Sequence, residues 1–277
     1  MKIISWNVNG IRAVGKKGFL PFVEREAPDV LCLQETKAHF DQVEDAIRVP
    51  LGMTSTWSSA VKKGYSGVAT FLKATAALPA IEIAPKIGIE IYDNEGRVVI
   101  SDHGAFLLYN IYFPNGGSGS ERHDFKQIFL NTLNDHLKEK IAAGREVVVV
   151  GDYNVAHLEI DVYDPKKLAS ESGFLPEERE WFARFLDLGF VDTFRHFHPE
   201  EKGAFTWWSY VERARPVNRG WRIDYVCVTR GLVPALKRAA ILDEVEGSDH
   251  CPVLIEFDIS KLPKQRPESE IAAPKKA

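Results

Sequence analysis

The chain has 277 residues, with 35 lysines and arginines against 39 aspartates and glutamates and a formal charge of −4, so no global positive field draws it to a polyanion; a nucleic-acid partner would need a local basic face or bound cations. No apolar run approaches the roughly 18 residues that span a bilayer, and the opening MKIISWNVNG reads as a strand and not as a signal peptide, so the expected location is cytoplasmic. Cys32, Cys227 and Cys251 each stand in an apolar stretch without metal-site spacing, an odd number that argues for buried thiols and against a disulfide framework.

In chain order, Lys2 to Val8 reads as a first strand whose lip carries Asn7, Asn9 and Gly10. Phe19, Phe22 and Val23 recur at helical spacing up to Pro28, and DVLCLQET follows as a buried strand ending in an acid, Glu35, with Lys37 just beyond. Another strand opens at Tyr65 and runs through Leu72, bracketed by lysines. RVVIS and AFLLYNIYF form a hairpin joined at Asp102-His103-Gly104, and the second strand ends in Tyr112, Pro114 and Asn115 before a GGSGS loop. From Glu121 to Ala143 a helix places Phe125, Ile128, Phe129, Leu133, Leu137 and Ile141 on one face, and Gly144 ends it.

The central element is REVVVVGDYNVAH. Its unbroken valine run, Val147 to Val150, has no polar alternation, as in a strand covered on both faces. Gly151 ends the run, and Asp152 and Asn154 follow two positions apart, so in extended chain they would point the same way. An acid at a buried lip needs a cation, a metal or a hydrogen-bond cage to stay ionised; taken alone, a capping aspartate in a turn explains it equally well. Pro176 then opens a helix with Trp181, Phe182, Phe185 and Leu186 inside. Residues 203–222 gather three tryptophans, a tyrosine and four arginines, a combination suited to bases and phosphates, although indoles shared between core and surface with solvated arginines would read the same. Arg222 to Val228 is a strand containing Asp224, and GSDHCP, with Asp249 and His250, precedes the last strand, VLIEF. Strand, helix, strand order predicts a layered α/β domain over 1–260, while 261–277, rich in Pro, Lys and Glu, is expected to be a disordered tail.

Several strands thus deliver Asp, Glu, Asn, His and Tyr to their ends. Oxygen ligands of this kind suit Mg²⁺, and a histidine beside an acid suits proton transfer. Zinc lacks its close His and Cys pairs, and neither a nucleophile elbow nor a glycine-rich phosphate loop is present.

WNVNG, LQETK, YFPNGG, GDYNVAH, GWRIDY and GSDHCP, in that order from Lys2 to Phe257, closely resemble the exonuclease III family of apurinic/apyrimidinic endonucleases. The resemblance implies a four-layered α/β sandwich of the DNase I type, two packed sheets flanked by helices. It implies Mg²⁺-dependent cleavage, with Mn²⁺ able to substitute, on the 5′ side of abasic sites in double-stranded DNA, with 3′-to-5′ exonuclease and 3′-end cleaning, performed by a monomer. Residue by residue, Glu35 resembles the main metal ligand with Asn7 nearby, and Asp152 the group that orients or deprotonates water. Asn154 would hold that water or a phosphate oxygen, Asp224 would orient His250 on the scissile phosphate, Tyr112 would stand beside it, and Asp249 would be a second metal ligand; Asp152, Asn154 and His250 could also reach a metal. The DNA face it implies comprises Asn115, Trp207, Trp221, Lys37, Arg12, Tyr65, Arg97, Arg122, Lys126, Arg215 and Arg222. Asn9 stands where many animal members have an acid, and Val211 and Glu212 replace the apolar pair that such members insert into the duplex. Two other readings are a lipid or inositol-phosphate phosphoesterase of the same superfamily and a DNA-binding protein with weak catalysis.

Overall fold

The computed structural model describes residues 1–264 and 266. Among the described residues, fourteen strands, numbered along the chain, make two six-stranded sheets and one short ribbon. The first sheet takes β1 (Lys2–Asn7), β2 (Val30–Gln34), β3 (Thr54–Ser58), β4 (Val68–Leu72), β13 (Leu236–Ile241) and β14 (Val253–Phe257), in the spatial order β13-β14-β1-β2-β4-β3. The second takes β5 (Glu82–Ala84), β6 (Val98–Asp102), β7 (Leu107–Tyr112), β8 (Val147–Asp152), β9 (Phe190–Asp192) and β12 (Asp224–Thr229), in the order β5-β6-β7-β8-β12-β9. β10 (Trp207–Trp208) and β11 (Gly220–Trp221) form the ribbon.

Each sheet holds one parallel pair, β1 with β2 and β7 with β8, among antiparallel neighbours. Parallel neighbours require a crossover, supplied here by the stretch containing the helix Phe19–Glu26 and by the helix Ser120–Ala142. The C-terminal ends of β1 and β2 therefore lie side by side, as do those of β7 and β8, and such ends are where loops carry chemistry in α/β folds. No repeat in the sequence announces this doubled arrangement.

The valine run behaves as its composition predicts. Val147 and Val149 pack outward under the helices Ser120–Ala142 and Pro176–Asp187, while Val148 and Val150 pack inward against the first sheet's Ile3, Val30 and Ile255. All four are fully buried, each contributing about 1.5–3 kcal/mol of apolar transfer. Between the sheets one polar stitch is fully satisfied on its amide nitrogens: Gln34 Nε2 donates to Ser5 Oγ at 2.9 Å and to Asn110 Oδ1 at 2.7 Å, and Asn110 Nδ2 donates to the Ala69 carbonyl at 3.0 Å. It keys one sheet to the other.

One expectation changes, and two strands appear that reading the sequence does not anticipate. Ile128 is 59% exposed, because the inward stripe of its helix passes instead through Lys126, Phe129, Leu130, Leu133 and Leu137. The edge strands β3 (TSTWS) and β13 (LKRAAI) carry too little alternation to be read from sequence, because at the rim of the sheet each fully buries a single side chain. The tail expected over 261–277 lies mostly outside the described residues; within them, Leu262 packs against the layer between the sheets and the Arg266 guanidinium donates to the Gly144 carbonyl at 3.0 Å, so the ordered body continues past 260.

Candidate active site

Gly151 is a steric requirement. With φ at 146°, a Cβ there would lie 1.8 Å from the Ile111 carbonyl oxygen, so only glycine lets β8 approach β7 this closely. Asp152 consequently ends β8 with Tyr112 across from it on one side and Asp224 in direct register on the other. Beyond it the chain does not stay extended, as Asn154 adopts φ 51°; the two side chains nevertheless meet, Asn154 Nδ2 donating to Asp152 Oδ2 at 3.2 Å and Asn154 N to Asp152 Oδ1 at 2.9 Å.

Asn9, Glu35 and Lys37 also have positive φ, of 44°, 54° and 53°. Such backbone costs of order 1–3 kcal/mol per residue and persists only where surroundings over-determine it. Here the loops after β1 and β2 hold each other: Asn9 N donates to Asn7 Oδ1 at 2.9 Å, Gly10 N to the Glu35 carbonyl at 2.8 Å, and Lys37 N to the Ser66 carbonyl at 2.8 Å. The strained residues of both loops therefore sit at one rim.

Side chains from both sheets converge there. Asn7 Nδ2 donates to Glu35 Oε2 at 3.1 Å and to Asp152 Oδ2 at 2.8 Å, so one amide joins carboxylates from the two sheets. Lys37 pairs with Glu35 Oε1 at 3.0 Å and also donates to Asn9 Oδ1, while Asn9 Nδ2 donates to Asp249 Oδ1 at 2.9 Å. Asp249 Oδ2 accepts from Trp207 Nε1 at 3.1 Å, so Asp249 serves as a hub that seats the indole. His250 Nδ1 lies 2.8 Å from Asp224 Oδ2, and its Nε2 lies 3.9 Å from Asp152 Oδ2. Backbone around His250 is tied by Trp6 Nε1 to its carbonyl at 3.1 Å and by Ser248 Oγ, which accepts from His250 N at 3.2 Å and donates to the Asn7 carbonyl at 2.8 Å.

These contacts displace the titrations. Burial pushes the Asp152 carboxyl up to about 7, against the opposing charge of His250, with Asp224 adding to the rise. Burial alone would lower the His250 imidazole, but Asp224, helped by Asp152 and Asp249, raises it to about 10, so it is cationic at neutral pH. Tyr112 is driven well above the usual phenol range by burial and by the Glu35 and Asp152 carboxylates, and remains a donor. Asp249 resists its own burial, which would raise it, and is held low by His250, Asn9 and Trp207.

Asn9, Glu35, Lys37, Asp152, Asp249 and His250 line a cavity of about 470 Å³, with Asn7 and Asp224 outside its lining. Trp207 and Trp221, paired across the ribbon with ring centroids 6.2 Å apart and edge to face, form one wall. Asn115 stands at the mouth and donates to Asn154 Oδ1 at 3.1 Å. Glu171, Ser172, Gly173 and Ile223 also line the cavity; Ile223 stands within GWRIDY, but Glu171, Ser172 and Gly173 belong to no motif, and only folding brings the 171–173 loop to the rim. Val211 is 96% exposed with Glu212 beside it on the loop after Trp208.

Several residues expected on the DNA face do not present free charge. Lys126 is fully buried against Glu178, and Arg222, 1% exposed, is spent on Asp161 and Asp192. Arg97, also buried, pairs with Glu95 and donates to the Tyr112 carbonyl and Tyr65 hydroxyl, and Arg122 joins the same Glu95 and Tyr65. Arg215 donates to the carbonyls of Asp243, Val245 and Ser248 and stacks over Trp208. These cations build the walls that the surface groups stand on. Arg12 is exposed on the short helix Ile11–Gly15, and Lys37 and Tyr65 are half-buried.

The donor chemistry fits a hard divalent cation. Asp152, Asp224 and His250 offer ligand atoms within 4.8 Å of one another, but the imidazole is engaged by Asp224 and positively charged. The better fit is the oxygen side, Glu35 with Asp152 and Asn7, where two carboxylates from different sheets are brought to one amide and Glu35 opens to the cavity.

A family model described as the Endonuclease/Exonuclease/phosphatase family matches residues 4–250. An exodeoxyribonuclease of Bacillus subtilis (strain 168) is 43% identical over 260 residues, covering 94% of this chain and 100% of that protein. The DNA repair nuclease APEX1 of Danio rerio is 40% identical over 257 residues, covering 92% of this chain and 81% of that protein. Among solved structures, an AP endonuclease from Archaeoglobus fulgidus is similar at a TM-score of 0.82 and 30% identity, covering 94% of this chain and 100% of that one. A 3′-5′ exonuclease from Neisseria meningitidis gives a TM-score of 0.83 at 30% identity, covering 93% and 100% of the two chains.

Proposed function

Because the chain belongs to the endonuclease/exonuclease/phosphatase family, in the branch its motifs share with exonuclease III, we propose that it is a DNA repair nuclease that hydrolyses the phosphodiester on the 5′ side of abasic sites in duplex DNA, and that it trims and cleans 3′ ends. The observation that carries this reading is the convergence of Asp152, Asn154 and the His250–Asp224 pair with Glu35 in one cavity walled by Trp207 and Trp221. Asp152, whose burial raises its carboxyl to about 7 in the metal-free protein, orients the attacking water and takes its proton, a task closed to the Tyr112 phenol because its surroundings keep it protonated. Asn154, held by Asn115, positions that water or a phosphate oxygen, and Tyr112 donates from the side. His250, kept cationic by Asp224, places positive charge where the phosphate oxygens gain negative charge. Glu35, with Asn7 and Asp152, would hold Mg²⁺, with Mn²⁺ able to replace it, and the bound ion supplies Lewis-acid neutralisation of the phosphate.

The paired indoles favour a deoxyribose that can be turned out of the duplex over a lipid or inositol phosphate, since a missing base leaves less stacking to break. The test is nicking of a plasmid bearing abasic sites, with and without EDTA. Nicking that depends on both the abasic sites and the metal is expected; an intact plasmid under loaded conditions sinks the reading.

A further inference from the structure

The nuclease chemistry leaves one buried charged pair unexplained. Lys126, on the helix Ser120–Ala142, and Glu178, on the helix Pro176–Asp187, are both fully buried and meet at 2.5 Å. Replacing such a pair by apolar side chains is often neutral or stabilising, so burial of two charges is poorly accounted for by stability alone. Their remaining hydrogen bonds point to the cavity. Lys126 Nζ donates to the Asn154 carbonyl at 2.7 Å. Glu178 Oε2 accepts from Gly173 N at 2.6 Å and from Leu175 N at 3.1 Å, and the Gly173 carbonyl accepts from Ala156 N at 2.7 Å. Gly173, with φ at 99°, is wedged between the two functional walls: a Cβ there would lie 3.2 Å from the Asn154 carbonyl oxygen and 3.3 Å from the Trp221 ring.

We infer that the Lys126–Glu178 pair is a positioning unit for the nuclease centre, setting the distance between Asn154 and the Gly173–Trp221 wall and thereby the rate at which an extruded sugar is cut. One charge holds the carbonyl of the left-handed Asn154 and the other holds the amide of Gly173, and the two charges hold each other. Two helices that contribute no side chain to the cavity lining therefore set the width of the slot. The inference rests on the cavity being a nuclease centre.

The test compares wild type, Lys126→Met and the double variant Lys126→Met/Glu178→Gln, which leaves no stranded charge and should regain melting temperature lost by the single change. Incision of a duplex with a tetrahydrofuran abasic analogue is measured under single-turnover conditions, alongside 3′-end digestion of undamaged duplex. Both variants should incise about tenfold more slowly or worse, with half-saturation changed less than about twofold, because placement and not phosphate contact is lost. The ratio of abasic incision to 3′-end digestion should fall. A double variant that melts like wild type and incises at the wild-type rate overturns the inference. If the double variant does not fold, Gly173→Ala presses on the same slot while leaving both charges in place: slowed incision supports the inference and wild-type incision overturns it. A wild-type protein inert on the abasic duplex would instead sink the reading of function itself.

Discussion

Replacing Asp152 with Asn keeps the shape of the side chain while removing its charge and its capacity to take a proton. Three N–H groups converge on this carboxylate: Asn7 Nδ2 at 2.8 Å and Asn154 Nδ2 at 3.2 Å on one oxygen, and Asn154 N at 2.9 Å on the other. An amide has a single acceptor oxygen, so whichever way it turns, its own NH₂ faces at least one of those donors. Stranding a buried donor costs about 1–3 kcal/mol, partly offset because the lost charge had faced Asp224 across the strands. The variant should therefore fold with a modest loss of melting temperature. Its turnover should fall at least about 10²-fold, equivalent to about 2.7 kcal/mol of barrier, while DNA affinity should hold or rise, since one negative charge near the phosphate is gone. The assay is single-turnover incision of the tetrahydrofuran duplex at saturating Mg²⁺ across the neutral pH range, with DNA binding in EDTA and melting as controls. A base works only when ionised, so the wild-type rate should climb with pH through the range in which the Asp152 carboxyl loses its proton, a range that bound Mg²⁺ pulls below the metal-free value of about 7, and the variant should lack that limb. A folded variant with wild-type turnover, or with the same rising limb, would refute the assignment.

Glu35→Ala should lose activity through weakened metal binding and recover part of it at higher Mg²⁺ or Mn²⁺, whereas His250→Ala should show no recovery; equal rescue of both would erase the distinction between their roles. Trp221→Ala, if folded, should lower incision at the abasic analogue more than digestion of ordinary 3′ ends, and an unchanged ratio of the two rates would place the selecting wall elsewhere. For Arg222→Met the effect should be on stability: its guanidinium lies 2.8 Å from Asp161 and 2.7 Å from Asp192, and breaking a buried pair from one side costs about 3–5 kcal/mol. Denaturant unfolding should show that loss while the salt dependence of DNA binding stays as in wild type; a salt slope reduced by about one would mean that Arg222 contacts phosphate after all.

What the sequence determined alone is whatever local composition and order can specify. The valine run before Gly151 has no polar side to show to water, so it had to be covered on both faces. Asn7, Glu35, Tyr112, Asp152, Asp224 and His250 could be picked out because each stands at or next to the end of a strand or within a motif whose order is itself informative. The fate of the cations could not be read this way. Lys126 and Arg222 look in sequence like any surface Lys or Arg, and only folding brings Glu178 to the one and Asp161 and Asp192 to the other, turning both into interior struts. The same holds for the loop at 171–173, whose place in the cavity wall depends on Glu178 and Trp221, neither of them encoded in the loop. Strand period and motif order are properties of neighbouring residues, whereas charge pairing and cavity shape depend on contacts between distant segments, and those exist only once the two sheets have closed on each other.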